Sequence, residues 1–144
     1  MTWANDWIHG VPMVVGLIAI HAIALAWGSS RLVGLMTRGG RRTTVRFAFG
    51  ITIAALGATV LHGLQAAAWA LLYVRLGALD DQREALLYSL NAITAYGHAA
   101  ITLADPWRLL GAIEAVNGLI LFGMTTAFLF AVAHQLWPDG FDGE

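Results

Sequence analysis

The sequence contains no cysteine and no lysine, and only 12% of its 144 residues are charged. Without cysteine the chain has no disulfides, no thiolate metal sites and no cysteine nucleophile. A soluble domain averages about 25% charged residues, so this chain has too little charge for that class. Its net charge of −1 gives it no basic surface for nucleic acid, and no nucleic-acid partner is expected.

The residues that are present are mainly apolar. Hydrophobic residues make up 58% of the chain and the mean hydropathy is +0.68, which is the composition of a membrane protein. Three segments are long enough to span a bilayer, at about 11–36, 47–76 and 106–137. No catalytic or metal-ligating constellation accompanies them, so no enzyme activity is predicted.

The basic residues indicate the orientation in the membrane. All eight are arginines, and five of them lie between Arg31 and Arg46. Loops rich in arginine tend to stay in the cytoplasm. We therefore expect an integral protein of the bacterial inner (plasma) membrane, with its N-terminus and the 77–105 region outside and its C-terminus in the cytoplasm.

A shorter apolar segment separates the second and third spans. It reads "ALLYSLNAIT" from 85 to 94, too short to cross, and "AYGHAA" follows. Irregular backbone at membrane depth is tolerated only where protein buries it or a water-filled cavity reaches it. A half-length helix followed by such a segment is typical of a pore loop, whose carbonyl oxygens replace an ion's hydration shell. One chain supplies only one wall of such a pore, so we expect several copies of the chain to assemble around a rotation axis.

From Tyr88 to Trp137 the chain resembles the pore module of the bacterial two-transmembrane potassium channel family. Tyr88-Ser89 opens the pore helix, and "WRLLGAIEAVNGLILFGMTTAFLFAV" (107–132) is similar to the family's inner helix. The resemblance implies an all-α homotetramer, with three transmembrane helices, a re-entrant pore helix and a filter-like loop in each subunit. It divides the chain into an extra N-terminal helix with a basic loop (1–46), the pore domain (47–137) and an acidic tail (138–144).

The filter departs from the family pattern, which reads Thr-Thr-Val/Leu-Gly-Tyr-Gly-Asp followed by Ile/Val-Thr. Ile101-Thr102 and Thr94 set a register in which the filter consists of Thr94, Ala95, Tyr96, Gly97, His98, Ala99 and Ala100. Ala95 then replaces a threonine that ligates cations, Ala99 replaces the second glycine and Ala100 replaces the aspartate. A left-handed alanine costs roughly 1–2 kcal/mol. The pattern predicts a weakly selective cation channel for potassium or sodium, with no cofactor.

Two filter side chains have alternative interpretations. His98 either faces the lumen, where a ring of histidines would titrate near neutral pH, or hydrogen-bonds behind the loop. Tyr96 either rearranges the wall behind the filter or projects into the lumen.

Two polar residues of the third span are candidates for filter support. Glu114 is an intramembrane carboxylate, which is expensive to bury and therefore a functional candidate. We expect it to hydrogen-bond the loop or the pore helix. Asn117 shares its helix face and is either the partner of Glu114 or a cavity residue.

Small and apolar residues further along this span are candidates for a hinge and a cavity. Gly118 and Gly123 either let the helix bend or permit close packing. Gly118, Leu121 and Thr125 form a stripe that either lines a cavity or packs on a neighbouring helix.

Two histidines lie in the middle of the first and second spans. His21 and His62 are able to ligate a haem iron, but neither lies in a ligand motif, so an interhelical hydrogen bond is favoured. Gln65 is a local partner for His62. Two rivals to a channel follow: a histidine-ligated haem or redox protein, and a non-conducting channel-fold subunit with a structural or regulatory role.

Overall fold

The computed structural model describes residues 3–38, 43–97 and 101–138 of the chain. Within those ranges the chain is helical and contains no strand. Four α-helices follow in order: α1 (Ala4–Thr37), α2 (Thr44–Arg75), α3 (Gln82–Ile93) and α4 (Arg108–Leu136). A single 3-10 turn, Asp105–Trp107, leads into α4.

Three of the helices are long and apolar enough to cross a membrane, as the sequence predicted. They are α1, α2 and the continuous helical segment Asp105–Leu136, whose most apolar windows have mean hydropathies of 2.0, 1.8 and 1.9. α1 begins seven residues before the apolar run that predicted it. The reason is that Asp6, in its first turn, is buried and accepts a hydrogen bond from the Leu110 backbone N–H at 3.1 Å.

The contacts at the helix ends establish the topology. Asp6 near the start of α1 meets Leu110 near the start of α4, so these two helices are parallel. Gly50 near the start of α2 lies against Leu136 at the end of α4, so α2 is antiparallel to both. The core has a large cluster around Trp69 and Tyr73 at one end and a smaller one at the other.

α3 enters the bundle from the end at which α2 finishes. Asp81 caps it by accepting hydrogen bonds from the backbone N–H groups of Arg83 and Glu84 at 2.8 and 2.9 Å. Its last turn reaches α4 at Gly118, where a Cβ would overlap the Ile93 carbonyl. Gly118 lies ten residues into α4, roughly 15 Å from the start of that helix. α3 therefore ends near the middle of the bundle.

The chain then returns to the end from which α3 entered. The Ala104 backbone N–H donates to the Ala78 carbonyl at 3.2 Å, just after α2. The described parts of the segment between Ala78 and Ala104 therefore form a hairpin that reaches half the bundle's depth. This agrees with the expectation that 85–94 is too short to span.

Candidate functional site

The loop that follows α3 is exposed at mid-depth. Thr94, Ala95, Tyr96 and Gly97 are all exposed, and the Tyr96 side chain is 84% accessible. In this chain Tyr96 is therefore not packed against the residues behind the loop, and its projection into a lumen stays a prediction. The other three predicted filter residues, His98, Ala99 and Ala100, lie outside the described residues.

Two residues of this loop have left-handed backbone conformations. Ala95 has φ 55° and Gly97 has φ 93°, and Tyr96 lies between them. Glycine adopts such angles without steric cost, whereas a left-handed alanine is uncommon. The backbone N–H groups of Ala95 and Tyr96 donate to the Ala92 and Asn91 carbonyls at 2.9 and 3.0 Å, which holds the turn to the end of α3.

Glu114 joins three helices behind this hairpin. Its side chain is fully buried, and it accepts hydrogen bonds from the Tyr73 hydroxyl of α2 at 2.5 Å and from the Ser89 hydroxyl of α3. Ser89 also lies 2.7 Å from the Ala66 carbonyl of α2. Glu114 makes the contact with α3 that was expected of a carboxylate supporting a pore helix. Its effect on a filter remains a prediction.

Aromatic rings complete the contact between α2, α3 and α4. Tyr73 and Tyr88 meet edge to face with ring centroids 5.3 Å apart. A Cβ at Gly111 would overlap the Tyr88 hydroxyl, so glycine permits this approach.

Asn117 does not pair with Glu114. It is completely buried, and neither its amide nitrogen nor its amide oxygen has a hydrogen-bond partner. With Trp7 and Val11 of α1 it borders an apolar groove of about 270 Å³ between α1 and α4. The alternative in which Asn117 pairs with Glu114 was wrong: Glu114 accepts instead from Tyr73 and Ser89, which the sequence did not connect to it.

The predicted stripe of α4 faces the interior of the chain. Gly118 packs on Ile93, Leu121 is completely buried and Thr125 is 8% exposed. Their position does not support a cavity-lining role and matches the helix-packing alternative. Gly123 differs, because a Cβ there would meet no other atom within 4 Å. Close packing therefore does not explain Gly123, and a hinge role for it stays a prediction.

A different set of α4 residues is exposed on the surface of the chain. This open face of α4 consists of exposed residues at helical spacing: Leu119, Phe122, Thr126 and Phe130. Sequence reasoning missed it because α4 is apolar on all sides, so periodicity did not distinguish the face that packs from the face that is exposed.

The two membrane histidines meet at Thr125. His21 Nε2 and His62 Nε2 each lie 3.0 Å from the Thr125 hydroxyl oxygen, and the ring centroids are 5.2 Å apart. His21 Nδ1 lies 3.2 Å from Gln65 Oε1, and Gln65 Nε2 donates to the Leu17 carbonyl at 3.3 Å. The network crosses α1, α2 and α4. We name it the histidine relay: His21, His62, Gln65 and Thr125.

This geometry favours the interhelical hydrogen-bond interpretation over haem ligation. Two histidines that ligate the same haem iron bind it from opposite faces of a flat macrocycle, with their ring nitrogens facing each other. Here both Nε2 atoms converge on one hydroxyl oxygen of Thr125. Among the residues in the described ranges, no three His, Asp or Glu side chains come together as metal ligands.

Comparisons with protein-family models, with curated proteins and with solved structures gave no match. What the chain does is therefore inferred from its own residues and geometry.

Proposed function

We propose that the chain is one subunit of a homotetrameric pore-loop membrane protein of the potassium-channel type, which passes monovalent cations with weak selectivity. The observation that carries this proposal is the half-depth hairpin. Its helix α3 ends in the middle of the bundle, and its loop residues Thr94 to Gly97 are exposed there.

The physical argument concerns the backbone of that loop. Hydrocarbon offers no hydrogen-bond partner to a peptide group, so lipid-exposed irregular backbone does not occur at membrane depth. A single copy of the chain leaves the loop uncovered. Copies arranged around a rotation axis enclose it and place it against a water-filled lumen. The open face of α4 then faces the same axis below the loop.

The backbone angles support a second way of aligning this loop with the potassium filter pattern, which we call the second register. The family pattern contains Gly-Tyr-Gly, and here the left-handed residues Ala95 and Gly97 flank Tyr96. In this register Tyr96 takes the tyrosine place, Ala95 the first glycine place and His98 the aspartate place. This second register aligns the filter pattern two residues earlier in the sequence than the register set by Ile101-Thr102. Each register changes one glycine place, and the register set by Ile101-Thr102 also keeps the two residues that follow the filter, so the backbone angles alone favour the earlier register.

A second candidate function is that of a non-conducting subunit with the same fold. Two observations favour it: Ala95 holds a left-handed conformation that is strained for alanine, and the exposed Tyr96 ring is large enough to narrow a lumen. In that case the tetramer forms but no cation passes.

Cation flux from liposomes tests the proposal. Purified protein is reconstituted, and potassium and sodium gradients are compared at pH 6 and pH 8. The wild type is expected to pass both ions, and Tyr96→Ala is expected to change the flux. Phe49→Ala is the matched control, because Phe49 is an exposed aromatic residue of α2 far from the loop. A tetramer with no flux would favour the non-conducting alternative, and flux that is indifferent to Tyr96→Ala would contradict a pore lined by this loop.

A further inference from the structure

We propose that the histidine relay is a buried proton-binding site, and that proton uptake by His62 releases α2 from α4. The relay contains no residue of the pore loop, and it adjoins the open face of α4 through the Phe122 ring that stacks on His62. The inference therefore stands whether or not the protein passes ions.

The direction of the hydrogen bonds begins at a backbone carbonyl. The Leu17 oxygen only accepts, so the Gln65 side-chain atom 3.3 Å from it is the NH2 group. The amide oxygen of Gln65 therefore faces His21 Nδ1 at 3.2 Å. Since that oxygen also only accepts, Nδ1 of His21 carries a proton.

The remaining protons follow from this assignment. A neutral His21 with a proton on Nδ1 has a lone pair on Nε2, which accepts the hydroxyl proton of Thr125 at 3.0 Å. Thr125 has only one proton, so its oxygen accepts from His62 Nε2–H, also at 3.0 Å. His62 is then the opposite tautomer, with its lone pair on Nδ1. That atom is buried and has no hydrogen-bond partner.

An additional proton can bind the relay only at His62 Nδ1. The packing of the three helices, as it stands, does not accommodate a proton there. On His62 Nδ1 it would create a buried donor without an acceptor, which is costly. The Phe122 ring is stacked 4.2 Å away at 11°, so it covers the face of His62 and does not accept a bond in the ring plane. The charge would also lie beside His21, whose ring is 5.2 Å away.

Within the described ranges, no neighbouring group compensates that charge. On α2 the adjacent relay member is the neutral Gln65, and no described carboxylate hydrogen-bonds to either histidine. Along the helices, Arg31 lies ten residues after His21, and Glu114 lies eleven residues before Thr125, each roughly 15 Å away. Glu114 is bonded to Tyr73 and Ser89, and α3 contributes no titratable group to the relay.

Proton uptake therefore acts on helix packing. His21 is on α1, His62 on α2 and Thr125 on α4. The hydrogen bonds of the relay therefore form only when these three helices are packed with the three side chains at the same depth. A protonated His62 reaches an acceptor or water only if it moves away from Thr125. That movement breaks the side-chain link between α2 and α4, whereas the hydrogen bond from the Thr125 hydroxyl to His21 is kept, and acid favours the separated arrangement.

Nitrogen-15 NMR of histidine-labelled protein in liposomes at pH 8 tests the proton assignment. The chain has five histidines, and His21→Gln and His62→Gln assign the two relay signals. We expect His21 to be protonated on Nδ1 and His62 on Nε2. The same tautomer in both rings, or an imidazolium in either ring at pH 8, would overturn the assignment.

Thermal melting of the detergent-solubilised protein between pH 8 and pH 5 tests the mechanical consequence. The wild type is expected to lose several degrees of Tm on acidification. His62→Gln, which keeps an N–H donor for Thr125 but does not titrate, is expected to lose much less. His134→Gln is the matched control, an exposed histidine outside the relay, and should follow the wild type. Equal acid sensitivity of His62→Gln and the wild type would refute the proposal, and neither assay depends on ion flux.

Discussion

Replacing Ala95 by glycine removes a specific backbone strain from the pore loop. Ala95 has φ 55°, and among the described residues it is the one non-glycine position with a positive φ. A left-handed conformation costs an L-residue about 1–2 kcal/mol relative to glycine. Glycine loses more conformational freedom on folding, which offsets about 0.4–1 kcal/mol of the gain. The expected net stabilisation is about 0.5–1 kcal/mol per chain, the difference of these two terms.

An oligomer multiplies this effect. If four loops meet at one axis and contribute independently, Ala95→Gly stabilises the assembly by about 2–4 kcal/mol. The measurement is the temperature at which the solubilised oligomer dissociates, followed by gel filtration after heating. Ala95→Gly is expected to dissociate at a higher temperature than the wild type.

Two further glycine substitutions serve as comparisons. Ala92→Gly, in the buried part of α3, should destabilise the chain by about 1 kcal/mol because glycine is a poor helix former. Ala99→Gly takes the second glycine place in the register set by Ile101-Thr102, so it distinguishes the two registers. A dissociation temperature lowered by Ala95→Gly, as it is by Ala92→Gly, would refute the strain argument. Stabilisation by Ala99→Gly alone would favour the later register.

Three other substitutions test the packing behind the loop. Ser89→Ala leaves a buried oxygen of Glu114 without its donor and should cost about 1–3 kcal/mol, measured by denaturant unfolding in detergent. Gly118→Ala forces a Cβ onto the Ile93 carbonyl and should cost about 1–3 kcal/mol in the same assay, whereas Gly123→Ala has open space and should be nearly neutral. Thr125→Val removes the hydroxyl that both histidines share and should cost at least about 1–3 kcal/mol of unfolding free energy. Thr125→Ser keeps the hydroxyl and should retain most of the stability. Equal losses in the two variants would contradict the relay.

Local sequence signals predicted the elements of this fold. The apolar runs located three long helices, and the length of 85–94 indicated a helix that stops half-way. Both depend on composition and helix length alone. The start of α1 was placed too late because the partner of Asp6 is the backbone of Leu110, 104 residues away in the sequence.

The side-chain partners within the bundle were harder to predict. Glu114 was recognised as a buried carboxylate, but its partners Tyr73 and Ser89 lie on two other helices. Finding them requires the relative depth of three helices, which a uniformly apolar sequence does not encode in its periodicity. Thr125 shows the same difficulty, since its spacing on α4 was compatible with a lumen, whereas the register with α1 and α2 turns it toward the histidines.

The central claim is that the loop after α3 meets water at the middle of the membrane. Because the chain contains no cysteine, a single cysteine placed at Tyr96 is unique. Liposomes carrying Tyr96→Cys are treated with a membrane-impermeant, positively charged thiol reagent, and labelling is measured by mass spectrometry. Leu64→Cys is the control, an exposed position of α2 near Ala66, which contacts α3. The pore-loop proposal predicts rapid labelling at 96 and none at 64, and an unlabelled Tyr96→Cys in a correctly assembled oligomer would contradict it.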